Sequence, residues 1–91
     1  LDELQISAVA VHPSKRRIGL ARKLLFFLLK EAKSYGAKKA FLEVRSSNDH
    51  AKSLYLNIGF RMIGSRKNFY RDGSNAIVFC CDLNNRNLEK L

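Results

Sequence analysis

The sequence predicts a mixed α/β fold in the order strand, helix, strand, helix, hairpin. Three observations carry this. A Val-, Ile- and Ala-rich run over residues 4–11 is closed by His12-Pro13-Ser14, and a helix-period run over residues 19–35 is closed by Gly36. Two late apolar runs, residues 61–69 and 75–83, are joined by Tyr70-Arg71-Asp72-Gly73-Ser74, a turn sequence centred on Asp-Gly.

The first run reads as a strand. In the helix that follows, Leu20, Leu24, Phe27, Leu28, Ala32 and Tyr35 recur at helical spacing and form the expected buried face. Arg22, Lys23, Lys30 and Lys33 form the outer arc, with Phe26 among them. Glu31 falls inside the apolar arc and is a rival for a buried acid. In the second strand Ala40, Leu42 and Val44 share one face, and Phe41, Glu43 and Arg45 the other. Asn48 suits a helix N-cap, Ala51, Leu54, Tyr55 and Ile58 line one helical face, and Gly59 supplies the stop. Glu43 and Tyr55 are thereby expected side by side in the crevice between strand and helix. Taken singly, Glu43 reads as a surface strand residue and Tyr55 as core. The first two strands are expected to be parallel, joined by a right-handed crossover. Residues 84–91 lose both periods and read as a tail.

The 91 residues make one domain or part of one. The chain opens at Leu1 rather than Met, and the first strand would be left with an open apolar edge. Both features lead to the expectation of a piece of something longer, whose missing strands, or those of a second chain, complete the sheet. No apolar run approaches the roughly 20 residues that span a bilayer, so no membrane role is expected. Cys80 and Cys81 are adjacent in a strand, point to opposite faces, and suit free thiols in a reducing, cytoplasmic setting. His12 and His50 match no metal-ligand spacing, so no metal is expected.

Seventeen Lys and Arg against eight Asp and Glu give a formal charge of +9. Lys15, Arg16, Arg17, Arg22 and Lys23 gather at the first strand-to-helix junction, a place to hold phosphates. There Gly19 and Ala21 let an anion approach backbone N–H groups that lack helical partners, with the helix dipole adding to the attraction.

The run Arg16-Arg17-Ile18-Gly19-Leu20-Ala21 resembles the R/Q-x-x-G-x-G/A acetyl-CoA signature of the GNAT N-acetyltransferase superfamily. Leu42-Glu43-Val44-Arg45, Asn48, Ala51, Leu54-Tyr55 and Gly59-Phe60 resemble its RimI-type ribosomal-protein N-terminal acetyltransferases, and residues 66–76 resemble their last hairpin. The match covers roughly residues 4–83. Asn75 and Phe79 depart from it, standing where the family commonly has Asp and Met.

The resemblance implies the C-terminal, cofactor-binding half of a GNAT domain over residues 1–83, acting with acetyl-CoA. It implies that backbone groups around Arg17, Gly19, Leu20 and Ala21 hold the pyrophosphate and that Arg16, Arg17 and Arg22 add charge. Val9 and Val11 would offer backbone to the pantetheine arm, and Asn48 would touch the same cofactor. Glu43 is implied as general base and Tyr55 as general acid at the sulfur. The implied acceptor is a protein N-terminus, the alanine of a small-subunit ribosomal protein, attacking the thioester directly. Acetylation of lysine or of a small amine is the nearest alternative. A basic nucleic-acid- or ribosome-binding module, or an inactive remnant, is the alternative from another class. The nucleic-acid reading rests on charge alone, because Tyr and Phe are not interleaved with the basic residues as stacking platforms would be.

Overall fold

The computed structural model describes residues 3–6 and 18–84. Six elements follow in order: β1 (Glu3–Ile6), α1 (Ile18–Ser34), β2 (Lys39–Arg45), α2 (Asp49–Ile58), β3 (Arg61–Arg66) and β4 (Ala76–Asp82). The sheet order is β1-β2-β4-β3. β1 runs parallel to β2, from Glu3↔Lys39 to Ile6↔Leu42, as the first crossover requires. β4 lies antiparallel to β2 over its whole length and antiparallel to β3 on its other side. The expected hairpin forms with shorter strands and a longer connection, residues 67–75. A bulge between Met62 and Gly64 interrupts β3 at the sheet edge, where such irregularities cost least. Residues 7–11 of the expected first strand and residues 85–91 of the expected tail lie outside the described residues. Among the described residues no helix is long and apolar enough to cross a membrane.

The alternation in β2 holds: Ala40, Leu42 and Val44 are buried while Phe41 and Glu43 are half-buried. Register places Phe79 opposite Leu42 and Cys81 opposite Ala40, so these share the inner face. Leu25, Phe26, Leu29 and Ala32 of α1 and Ala51, Leu54, Tyr55 and Ile58 of α2 join that same cluster. Both helices therefore pack on one face of the sheet and leave the face of Glu43 uncovered by either. The Arg22 guanidinium donates to Asn57 Oδ1 at 2.6 Å and ties α1 to α2. Leu83 is buried, and its N–H donates to the Lys38 carbonyl at 2.9 Å.

The buried face of α1 differs from the expected one. Leu20 is 70% exposed and Tyr35 74%, with Leu24 and Phe27 also exposed, whereas Phe26, expected outside, is buried. Apolar residues ring most of this helix, so the 3.6 period fits two nearly opposite stripes, and periodicity cannot choose between them. The sheet takes the stripe of Leu25, Leu29 and Ala32. Glu31, which shares the exposed stripe, is itself exposed and is no longer a rival for the buried acid.

α2 begins and ends as its sequence requires. Asn48 Oδ1 accepts from the Ala51 N–H at 3.1 Å, satisfying one orphan donor of the first turn. Gly59 adopts φ 124°, which side-chain-bearing residues rarely reach, and its N–H bonds back to the Tyr55 and Leu56 carbonyls. This turn folds Phe60 onto Tyr55, with ring centroids 5.8 Å apart.

Candidate active site

Glu43 sits in β2 beside its cross-strand partner Val78, on the face away from the helices. Its side chain is 17% exposed, and the Arg66 Nε of β3 lies 4.0 Å from its Oε1. Tyr55 approaches from the other side. It is 2% exposed, and its ring packs at 5.9 Å on Phe79, the partner of Leu42. Tyr55 therefore packs against the inner face of β2 and β4, whereas Glu43 projects from the other face of β2. The period-2 strand and the helix register each placed its own residue correctly, but only the packing side of α2 fixes their relation.

Burial pushes the Tyr55 phenol up to about 12, and the neighbouring Tyr70 adds to the rise. The phenol thus stays protonated through neutral pH, holding a donor in an apolar site. Tyr70 lies within electrostatic reach of both Glu43 and Tyr55. Its own hydroxyl is raised chiefly by burial, with Arg45 opposing and Glu43 reinforcing, so it feels the candidate base as well as the candidate acid. Arg45 stacks over the Tyr70 ring at 4.1 Å. Sequence reasoning placed Arg45 on the face of Glu43 and Tyr70 in the hairpin turn but gave neither a role in the site. The available signal was the strand period, which puts Arg45 on the face of Glu43 only two positions away.

The second part of the site is the N-terminal end of α1. Its first turn carries no acidic residue, and Gly19, Leu20, Ala21 and Arg22 lie in its opening turns as expected. A Cβ on Gly19 would meet nothing within 4 Å. No packing reason therefore demands glycine among the described residues, although the residue weakens a helix. Beside Gly19 opens a cavity of about 560 Å³ lined by Arg22, Lys23, Phe26, Phe27 and Lys30. Arg22, stacked 5.4 Å from the Phe26 ring centroid, is held in place there by Asn57. Its lining thus runs from Gly19 at the start of α1 to Lys30, about three turns further along the helix, and mixes cations with two aromatic rings. Asn48 accepts through its Oδ1 in the helix cap, at the end of β2 where the expected cofactor contact falls. Val9, Val11, Arg16 and Arg17 lie outside the described residues.

Cysteine chemistry finds no support here. Cys80 and Cys81 are free and buried on opposite faces, and burial first, then Cys80 and Asp82, pushes the Cys81 thiol up to about 11. Among the described residues no group of three or more His, Cys, Asp or Glu could hold a metal ion.

Residues 2–82 match a protein family described as the acetyltransferase (GNAT) domain. The chain is 42% identical over 82 residues to the ribosomal protein bS18-alanine N-acetyltransferase of Haemophilus ducreyi, covering 86% of this chain and 57% of that protein. To the protein of the same name from Escherichia coli it is 41% identical over 70 residues, covering 77% of this chain and 47% of that one. It thus spans about half the length of the curated relatives it matches. The crystal structure of the Escherichia coli ribosomal-protein-S18-alanine N-acetyltransferase superposes with a TM-score of 0.77 at 38% identity, over 91% of this chain and 56% of that one. Ard1 from Thermoplasma volcanium gives a TM-score of 0.81 at 31% identity, over 89% and 55%.

Proposed function

This chain belongs to the GNAT acetyltransferase domain family, and on that premise we propose that its protein acetylates the α-amine of a protein N-terminus. The acceptor proposed is the N-terminal alanine of a ribosomal protein, in a cytoplasmic setting. The observation that carries the reading is a buried Tyr55 on α2, packed against the β2–β4 strand pair from which the half-buried Glu43 projects. The names borne by relatives at about 40% identity support the acceptor.

Acetyl-CoA, when bound, supplies an acetyl group activated as a thioester. The first turn of α1, with Gly19, Ala21 and Arg22, would hold its phosphates, and Asn48 would reach the same ligand. Glu43 acts on the acceptor. A protein α-amine has a reference pKa of about 7.7–8.0, so a sizeable fraction is already neutral near pH 7, and a carboxylate suffices to take its remaining proton during attack. Lysine, near 10.4, would need a stronger base. Tyr55 acts at the sulfur. A phenol held at about 12 is a poor donor of a whole proton to a thiolate, whose own pKa is about 8.5 for a cysteine-like thiol. Its contribution is a hydrogen bond that strengthens as negative charge develops, with any proton transfer coming late.

The test is acetylation of paired peptides by the full-length protein, one with a free N-terminal alanine and one with that amine blocked. Label is expected on the free α-amine only. Equal labelling of the blocked peptide on lysine would replace this reading with the lysine alternative.

A further inference from the structure

The loop between β3 and β4 is held by a side chain of the catalytic strand. Arg45 Nη1 donates to Asp72 Oδ2 at 2.8 Å and also to the Ser74 hydroxyl, while its guanidinium plane covers the Tyr70 ring at 4.1 Å. Asp72 is in turn locked in place, its Oδ1 accepting from the Ser74 backbone N–H at 2.9 Å. Those Ser74 bonds first, and Arg45 after them, hold the Asp72 carboxyl down to about 2. Tyr70 packs edge-on against Phe69 at 5.0 Å, and Arg66, the neighbour of Glu43, lies 5.5 Å from the Phe69 ring. The chain of contacts runs from Arg45 through Tyr70, Phe69 and Arg66 back to Glu43. It borders the sheet face that carries the candidate base.

As a stability device this arrangement has little value. The Arg45 and Asp72 side chains are 44% and 60% exposed, and exposed ion pairs contribute little to folding. As a positioning device it is well placed. Arg45 lies about 6.7 Å along β2 from Glu43 on the same face, so whatever it fixes is fixed relative to the base. A planar guanidinium can bond two oxygens in its plane while its face covers a ring, which an ammonium cannot do.

We infer that Arg45 is a positioning residue for acceptor binding, acting through Tyr70 and the 67–75 loop to set the wall past which the acceptor amine reaches Glu43. This rests on the N-terminal acetyltransferase reading. The cofactor end, at Gly19 on α1, lies outside this network, so the effect falls on one substrate alone.

The experiment uses the full-length protein and its Arg45→Gln, Arg45→Lys, Asp72→Asn and Arg45→Gln/Asp72→Asn variants. Steady-state kinetics are measured against both an alanine-initiated peptide and acetyl-CoA, with thermal melting alongside. Arg45→Gln should raise the peptide KM about tenfold or more, with the acetyl-CoA KM within about twofold. Arg45→Lys should fail to restore it, because the stack is lost although the charge remains. The double variant should be no worse than the worse single, since both break one link. Unchanged peptide KM in variants that melt like the wild type would overturn the role of Arg45, as would full rescue by lysine. A parallel rise in both KM values would also overturn it. A wild-type protein that acetylates no free peptide N-terminus would instead fail the parent reading, and this inference with it.

Discussion

Replacing Tyr55 by Phe isolates what the buried hydroxyl does, and its size can be worked from the structure. The phenol is at about 12 in the folded protein against the ordinary value of 10.0. Because the folded pKa is raised, the neutral form is the one that folding favours. Its stabilising share is complete below pH 10 and is lost as pH rises toward 12. The limit is two units at about 1.36 kcal/mol each, about 2.7 kcal/mol, of which roughly half is lost by pH 11. Phe fills the same volume and cannot ionise, so the variant lacks this slope. Urea unfolding of both proteins, followed by circular dichroism from pH 8 to 11, reads the difference directly. The wild type should lose about 1.4 kcal/mol relative to the variant over that range. A difference flat to within a few tenths of a kcal/mol would mean that the phenol is not desolvated, and its assignment as a protonated donor would fall. At pH 7 the same substitution in the full-length protein should cut kcat by about 10²–10³, as removal of one transition-state donor does elsewhere.

Glu43→Gln should lower kcat/KM for the acceptor by about 10²–10⁴, with little change in melting temperature because the side chain is outside the buried core cluster; retained rates would remove it from the mechanism. Gly19→Ala should raise helix stability by up to about 1 kcal/mol, since a Cβ there meets nothing, while raising the acetyl-CoA KM. A gain in stability with no change in cofactor affinity would deny the phosphate role. Phe79→Ala, which empties the fully buried position between Leu42 and Tyr55, should cost about 3–5 kcal/mol in chemical denaturation.

Much of the site was legible along the chain because its cues are local. Asn48 caps α2 and Gly59 ends it for reasons contained within a few residues. The alternation of β2 fixed that Glu43 lies opposite Ala40, Leu42 and Val44. The stripe that α1 buries was not legible, because a helix apolar on most sides satisfies one period in two ways. The same holds for the 67–75 loop. Asp-Gly announced a turn, but the Arg45 contacts that shape it join residues 27 and 29 positions apart.

The sequence by itself determined the order of elements, the caps of α2, the glycine at the start of α1 and the choice of Glu43 and Tyr55 as acid–base candidates. Only the tertiary structure decided that both helices cover one face, that Tyr55 packs on that face while Glu43 projects from the other, and that Arg45 stacks on Tyr70. The physical reason is range. Backbone periodicity and capping are set within one or two turns, whereas which apolar stripe is buried and which charges feel each other depend on surfaces brought together across the whole fold.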